Sequence, residues 1–177
     1  NTAGTGEFKI KTSAKAFSIL SSTIYSNKIR AIIRELCCNA VDSHQSVGKI
    51  DVPFEVHLPS MLEPWFSVRD FGSGLTDAEV KSIYTTYFES TKTGSNDFIG
   101  ALGLGSKSPF SYTENFTVNA IKDGVKNIYS AFINSHGVPS VADMATMATG
   151  ECNGVEVKFS VTDPSDCAKF NSEAKYT

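Results

Sequence analysis

Stretches in which apolar residues recur every three to four positions alternate along the chain with stretches in which they recur every second position, and the changes of period divide it into elements. Glu7 to Lys11 alternates as a short strand, and Ala14 to Ser22 reads as a short helix. Asn27 stands where an N-cap belongs, ahead of a helical period that runs to about Val47, where Gly48 supplies the stop. On that helix Ile29, Ile33, Leu36, Ala40 and Val47 fall within roughly 60° of one another, which is a core stripe. Val52 to Leu58 and Trp65 to Arg69 read as strands parted by a Pro-containing turn, and the tight turn Asp70-Phe71-Gly72-Ser73-Gly74 follows. Thr76 and Glu79 have the capping-box spacing and open a helix to about Tyr84.

From Thr85 to Phe98 the chain is polar and holds no sustained period, so a long loop is expected there, of the sort that serves as a lid or binding segment. The glycine cluster Gly100 to Gly105 leads into a predicted helix, Ser106 to Tyr112. Strands are expected at Asn115 to Ile121, Asn127 to Ile133 and Gly154 to Val161, with turns at Asp123-Gly124 and His136-Gly137. Beyond Asp163 the polar character suggests a tail, or a linker to a further domain, which leaves residues 1–162 as one α/β domain. No internal repeat is visible.

Composition narrows the classes. A chain of 177 residues can bury a real core, and 41% hydrophobic with 20% charged residues is a globular balance. No apolar run approaches the roughly 18 residues of a membrane span. The formal charge of −3 argues against this segment holding nucleic acid by itself, because phosphate contacts need clustered Lys and Arg. Cys37, Cys38, Cys152 and Cys167 lack metal-ligand spacing and read as free thiols of a reducing compartment. The start carries neither a Met nor a signal-peptide pattern, as expected of a trimmed cytosolic protein, and the triplet Asn115-Phe116-Thr117 matches a glycosylation site only by accident.

The candidate chemistry begins on the long helix, where Glu35, Asn39 and Asp42 share a line centred roughly 115° around from the core stripe. They border the core without pointing into it, as residues of a cleft wall would, although a solvated helix face gives the same spacing. In the turn after the second strand, Asp70 can accept a hydrogen bond from an amine, and Gly72 and Gly74 permit close approach of a ligand to the backbone. Glycines at 100, 103 and 105, ahead of a helix, leave N–H groups free for phosphate. Two familiar phosphate loops do not fit: Ser106 separates Gly105 from Lys107, and Ser108 stands where a dinucleotide fingerprint needs glycine.

In order, E-x-x-x-N-x-x-D on a helix, D-x-G-x-G after a strand, and a polar segment leading into G-x-x-G-x-G resemble the GHKL superfamily of gyrase B, heat-shock chaperones, histidine kinases and MutL. The stretches KIRAIIRELCCNAVDSH, RDFGSGL and NDFIGALGLGSKSPFSYT are similar to the rapid-lysis A proteins of T-even bacteriophages, protectors from prophage-induced early lysis. The resemblance implies a two-layer Bergerat fold, with helices on one face of a mixed, mostly antiparallel sheet and ATP held beneath a mobile lid. It implies Glu35 as general base for water, Asn39 as magnesium ligand and Asp42 as a residue orienting its neighbours. Asp70 would read the adenine amino group beside Gly72 and Gly74. Gly100, Gly103 and Gly105 would present N–H groups to the phosphates, in a turn completed by Leu102, Leu104 and Ser106, with Lys107 and Lys92 adding charge.

Glu35 favours the hydrolase branch, since histidine kinases usually lack a carboxylate four residues before the Asn, and His44, His57 and His136 sit in no phosphoacceptor helix. Where the superfamily commonly has Gly-Thr on a late strand this chain reads Gly154-Val155, and the hydrolase branch usually borrows a Lys or Arg from a following domain, so turnover is expected to be slow. The expectation is a Mg2+-dependent ATP-binding and slowly hydrolysing phage module in the host cytoplasm, acting against host exclusion or on lysis timing. Its partners would be a second copy, further domains of its own chain, or host or phage proteins, and not nucleic acid. The alternative is a non-catalytic module whose lid or dimer state senses ATP or ADP.

Overall fold

The computed structural model describes residues 27–85 and 105–177. Helix α1 (Lys28–Ser46) begins at the expected cap, where the Asn27 side chain accepts from the Arg30 N–H at 3.1 Å. It ends at Val47 and Gly48, the latter at φ +70°. Strands β1 (Glu55–His57) and β2 (Trp65–Arg69) follow, then α2 (Asp77–Thr85). The capping box closes in both directions: the Thr76 N–H donates to Glu79 Oε2 at 2.7 Å, and the Glu79 N–H donates to Thr76 Oγ1 at 3.3 Å. A 3-10 helix (Gly105–Ser111) leads to β3 (Asn115–Lys122), β4 (Val125–Ile133), β5 (Pro139–Ala148) and β6 (Gly154–Ser160). Helix α3 (Pro164–Glu173) comes last, before a single 3-10 turn at Ala174–Tyr176.

The six strands form one sheet in the order β1-β2-β6-β3-β4-β5, so β6 returns from the far end of the chain to lie between β2 and β3. Register decides which face is apolar. Val68, Val157, Val118 and Tyr129 stand opposite one another across four strands, all buried, whereas the neighbouring row is Ser67, Lys158, Thr117 and Ser130. Onto the apolar face pack Ile32, Ile33, Leu36 and Ala40 of α1, Val80 and Tyr84 of α2, Phe110 of the 3-10 helix and Phe170 of α3. The protein is therefore an α/β fold with its helices on one face of an antiparallel sheet.

Several expectations need correction. Every strand pairing among the described residues is antiparallel, so the sheet is not mixed there. Strand β5 was not foreseen, because Pro-Ser-Val-Ala-Asp-Met-Ala-Thr-Met-Ala lacks a two-residue apolar alternation and half-faces solvent at the sheet edge. Val47, placed in the core stripe, is 39% exposed, since the helix has already ended there. The strand expected from Val52 is only Glu55–His57, and the helix expected at Ser106 is 3-10, with Pro109 inside it. The elements read at Glu7 to Lys11 and Ala14 to Ser22, and the polar loop after Thr85, lie outside the described residues.

The largest correction is at the C-terminal end. Residues from 163 on are not a tail or linker that leaves the domain at 162. Asp163 caps α3 by accepting from the Ser165 N–H at 2.7 Å, with Pro164 in the first turn. Cys167 and Phe170 are buried, the Phe170 ring lying 5.0 Å from Phe66 and 5.9 Å from Phe159. At its other end Glu173 accepts from Arg30 at 2.6 Å and from Asn27 at 2.9 Å, joining α3 to the start of α1. Only two apolar side chains one turn apart do the burying, so the sequence looks polar. Phe170→Ala should therefore cost about 3–5 kcal/mol, read as a drop in urea midpoint; an unchanged midpoint would mean that α3 does not belong to the core.

Candidate functional site

A cavity of about 520 Å³ opens between α1, the turn after β2, the end of α2 and the 3-10 helix. Its floor is the apolar end of the sheet, Val68, Val155 and Val157. Glu35, Asn39 and Asp42 line it from α1, Asp70 and Gly74 from the β2 turn, and Gly105 and Ser106 from the 3-10 helix. The acid and amide line of the helix thus borders a hollow, with Asn39 and Asp42 still exposed to solvent. This follows from the angle between that line and the core stripe, which puts the line at the edge of the helix–sheet interface.

Asp70 is held by hydrogen bonds from three elements. It is buried, and its Oδ1 accepts from Ser43 Oγ at 3.1 Å, from the Gly72 N–H at 3.0 Å and from the Val155 N–H at 3.3 Å. Its own N–H donates to the Val155 carbonyl at 2.9 Å. One carboxylate oxygen is therefore saturated from α1, the turn and β6, while Oδ2 makes no hydrogen bond to the described residues. The turn beyond it is fixed by His44, whose Nε2 accepts from the Phe71 N–H at 2.7 Å. Its Nδ1 donates to the Val52 carbonyl at 2.9 Å, and these two partners define the ring's tautomer.

The glycines divide by role. A side chain at Gly72 would meet Ser43 Oγ at 1.9 Å, so this glycine lets the turn approach α1 and does not line the cavity. Gly74, at φ +71°, would bring a Cβ to 2.0 Å from the Ile121 carbonyl. At Gly105 a Cβ would lie 2.9 Å from Glu35 Oε2, so the start of the 3-10 helix runs directly past the candidate base. Lys107 is turned away from the cavity. It is 1% exposed, and its Nζ donates to the Ile83 carbonyl at 2.8 Å. Burial pulls its pKa down to about 8. Lys92, Gly100, Leu102, Gly103 and Leu104 lie outside the described residues.

Sequence reasoning missed several lining residues. Ser43 falls one turn after Asn39 on the same helix line, a spacing that could have identified it. Ile83 and Tyr84 close the cavity from α2 without any motif to announce them. Tyr84 is buried, and burial first, then the Asp70 carboxylate, raises its hydroxyl pKa, so it stays a neutral phenol. Cys38 also lines the cavity; its neighbour Cys37 is held as a thiol, burial raising its pKa to about 11 with Cys38 adding to the shift.

The charged side chains among the described lining residues are Glu35, Asp42 and Asp70, all acidic. Arg34 approaches Glu35 at 3.7 Å but from the exposed side. A polyphosphate would meet a negative wall, and a divalent cation would reverse the sign. The donor set fits magnesium in its usual form, in which one or two protein oxygens and the ligand phosphates share the ion. Asn39 makes no side-chain hydrogen bond to the described residues, and Glu35 stands one turn before it. No group of three or more His, Cys, Asp or Glu among the described residues is arranged as a self-sufficient metal centre, so any ion held here would depend on the ligand. Also among the described residues, no helix is long and apolar enough to cross a membrane.

No protein-family model and no curated protein matches the chain.

The depressed Lys107 pKa has a stability consequence of defined sign. A free lysine titrates near 10.5 and this one near 8, so between those values the unfolded chain binds more protons and stability rises with pH. Compared with Lys107→Met, the wild type should gain up to ~3 kcal/mol between pH 7.5 and 10.5, seen in paired urea melts. A constant difference across that range would contradict the assigned burial.

Proposed function

We propose that the chain binds ATP with Mg2+ and hydrolyses it slowly. The observation that carries this reading is the convergence on one hollow of a carboxylate and an amide one helical turn apart, a backbone-oriented Asp70 and the close-packed Gly105-Ser106 turn. Asp70, with Oδ1 committed to three donors, presents Oδ2 for a base amine. The apolar floor of Val68, Val155 and Val157 suits a flat ring. At the other end Gly105 and Ser106 offer small groups and backbone to phosphate beside Glu35.

In this reading Glu35 takes the proton of an attacking water as the bond from the terminal phosphorus to the bridging oxygen breaks, leaving ADP and phosphate. Asn39 would hold Mg2+, which when bound offsets the charge of the phosphates against the acidic wall. Slow turnover is consistent with Val155, which lines the cavity with no hydroxyl, and with the lack of any Lys or Arg among the described lining residues. The same two features favour the second reading, a module that senses ATP or ADP without chemistry. On the sequence resemblance alone, the cellular setting proposed is a phage protein in the host cytoplasm that counters exclusion or times lysis.

Mg-ADP at a hundred times its dissociation constant should stabilise the fold by about 2.7 kcal/mol, a rise of roughly 3–5 °C in Tm. Asp70→Asn should abolish the rise. Absence of a rise in the wild type with ADP, ATP and a nonhydrolysable analogue would sink both readings. Glu35→Ala should keep the rise and lose phosphate release by on the order of 10²-fold or more; equal release by wild type and variant would leave the sensing module.

A further inference from the structure

Lys107 lies in the site's frame without touching its contents. Gly105 and Ser106, and Ile83 and Tyr84 of α2, all line the cavity, and Lys107, which does not line it, joins the two elements. The Nζ contact at 2.8 Å to the Ile83 carbonyl therefore ties α2 to the element that carries Gly105 and Ser106. A second, apolar link runs in parallel: Tyr84 packs on Phe116 at 5.8 Å and Phe110 on Phe116 at 4.7 Å. The polar link can thus be cut while the apolar one holds the fold.

We propose that Lys107 is a positioning residue which, through the Ile83 carbonyl, makes α2 around Ile83 respond to phosphate bound at the Gly105-Ser106 turn. Phosphate held at Gly105 and Ser106 restrains the backbone leading into Lys107, whose side chain has no room to absorb a displacement by changing rotamer. Restraint on one wall is passed to the other through the charge-assisted hydrogen bond from Lys107 to the Ile83 carbonyl. The inference rests on the nucleotide reading, and it adds a route by which occupancy of the cavity reaches α2.

Hydrogen exchange of the α2 amides, with and without Mg-ADP, reads the route directly. In the wild type, Mg-ADP should slow exchange of the α2 amides around Ile83 by about tenfold or more. In Lys107→Met, Mg-ADP should still raise Tm, because the Asp70 end is intact, while the ligand-dependent slowing in α2 falls to within about twofold of none. A residue that serves only the fold would change exchange equally with and without ligand. Should that variant not fold, the Ile83 carbonyl carbon resonance of the wild type serves instead, and it should move on adding Mg-ADP. Equal ligand-driven slowing in wild type and variant, or an unmoved Ile83 resonance in a wild type that Mg-ADP stabilises, overturns the inference alone. A wild type that Mg-ADP does not stabilise removes the nucleotide reading and this inference together.

Discussion

The Asp70 carboxylate holds the site together. Three donors reach one of its oxygens, from the Ser43 hydroxyl on α1, the Gly72 N–H in its own turn and the Val155 N–H on β6. Charge-assisted bonds of this kind are about twice as strong as neutral ones, and here they join elements far apart in the chain. The neighbouring glycines follow from the same packing. Gly72 admits Ser43, and Gly154 admits the Asp70 carbonyl, which a side chain there would meet at 2.0 Å. The turn comes close enough to α1 and β6 for these bonds only because both positions lack a side chain.

That constraint explains the form of the cavity. Because β6 returns to lie beside β2, the backbone of Val155 reaches Asp70 while the side chains of Val155 and Val157 floor the hollow. The expectation drawn from the sequence treated position 155 as a lost hydroxyl. In the fold, the position serves Asp70 through its N–H and carbonyl, which any residue but proline could supply. What the valine changes is confined to the surface it turns to the cavity.

The site also shows a division of polar labour. Glu35, Asn39 and Asp42 remain accessible to the cavity, whereas Arg69, His44 and Lys107 are spent on backbone carbonyls or N–H groups. Arg69 is buried, donates to the Asp70 and Cys152 carbonyls and lies 4.6 Å over the Phe71 ring. Basic groups therefore shape the walls, while acidic and amide groups face the contents. This arrangement suits a ligand that arrives with its own cation.

Local chemistry was legible in the sequence wherever it is local in space. The Asn27 cap, the Thr76–Glu79 box, the Gly48 stop, the core stripe up to Ala40 and the polar line of Glu35, Asn39 and Asp42 depend on residues within two or three turns of one another. Elements whose pattern is diluted by an exposed face were not legible, as β5 and α3 show, because burial of one or two side chains leaves almost no periodic signal. Only the tertiary structure decided that Gly72 admits Ser43 of α1 to the turn, and that Lys107 points to Ile83. It alone brought Ser43, Ile83, Tyr84 and Val155 to the same cavity as Asp70. The reason is physical: spacing along a chain sets the direction of a side chain on its own element, but its partner is set by sheet order and register, which depend on contacts among all the elements at once.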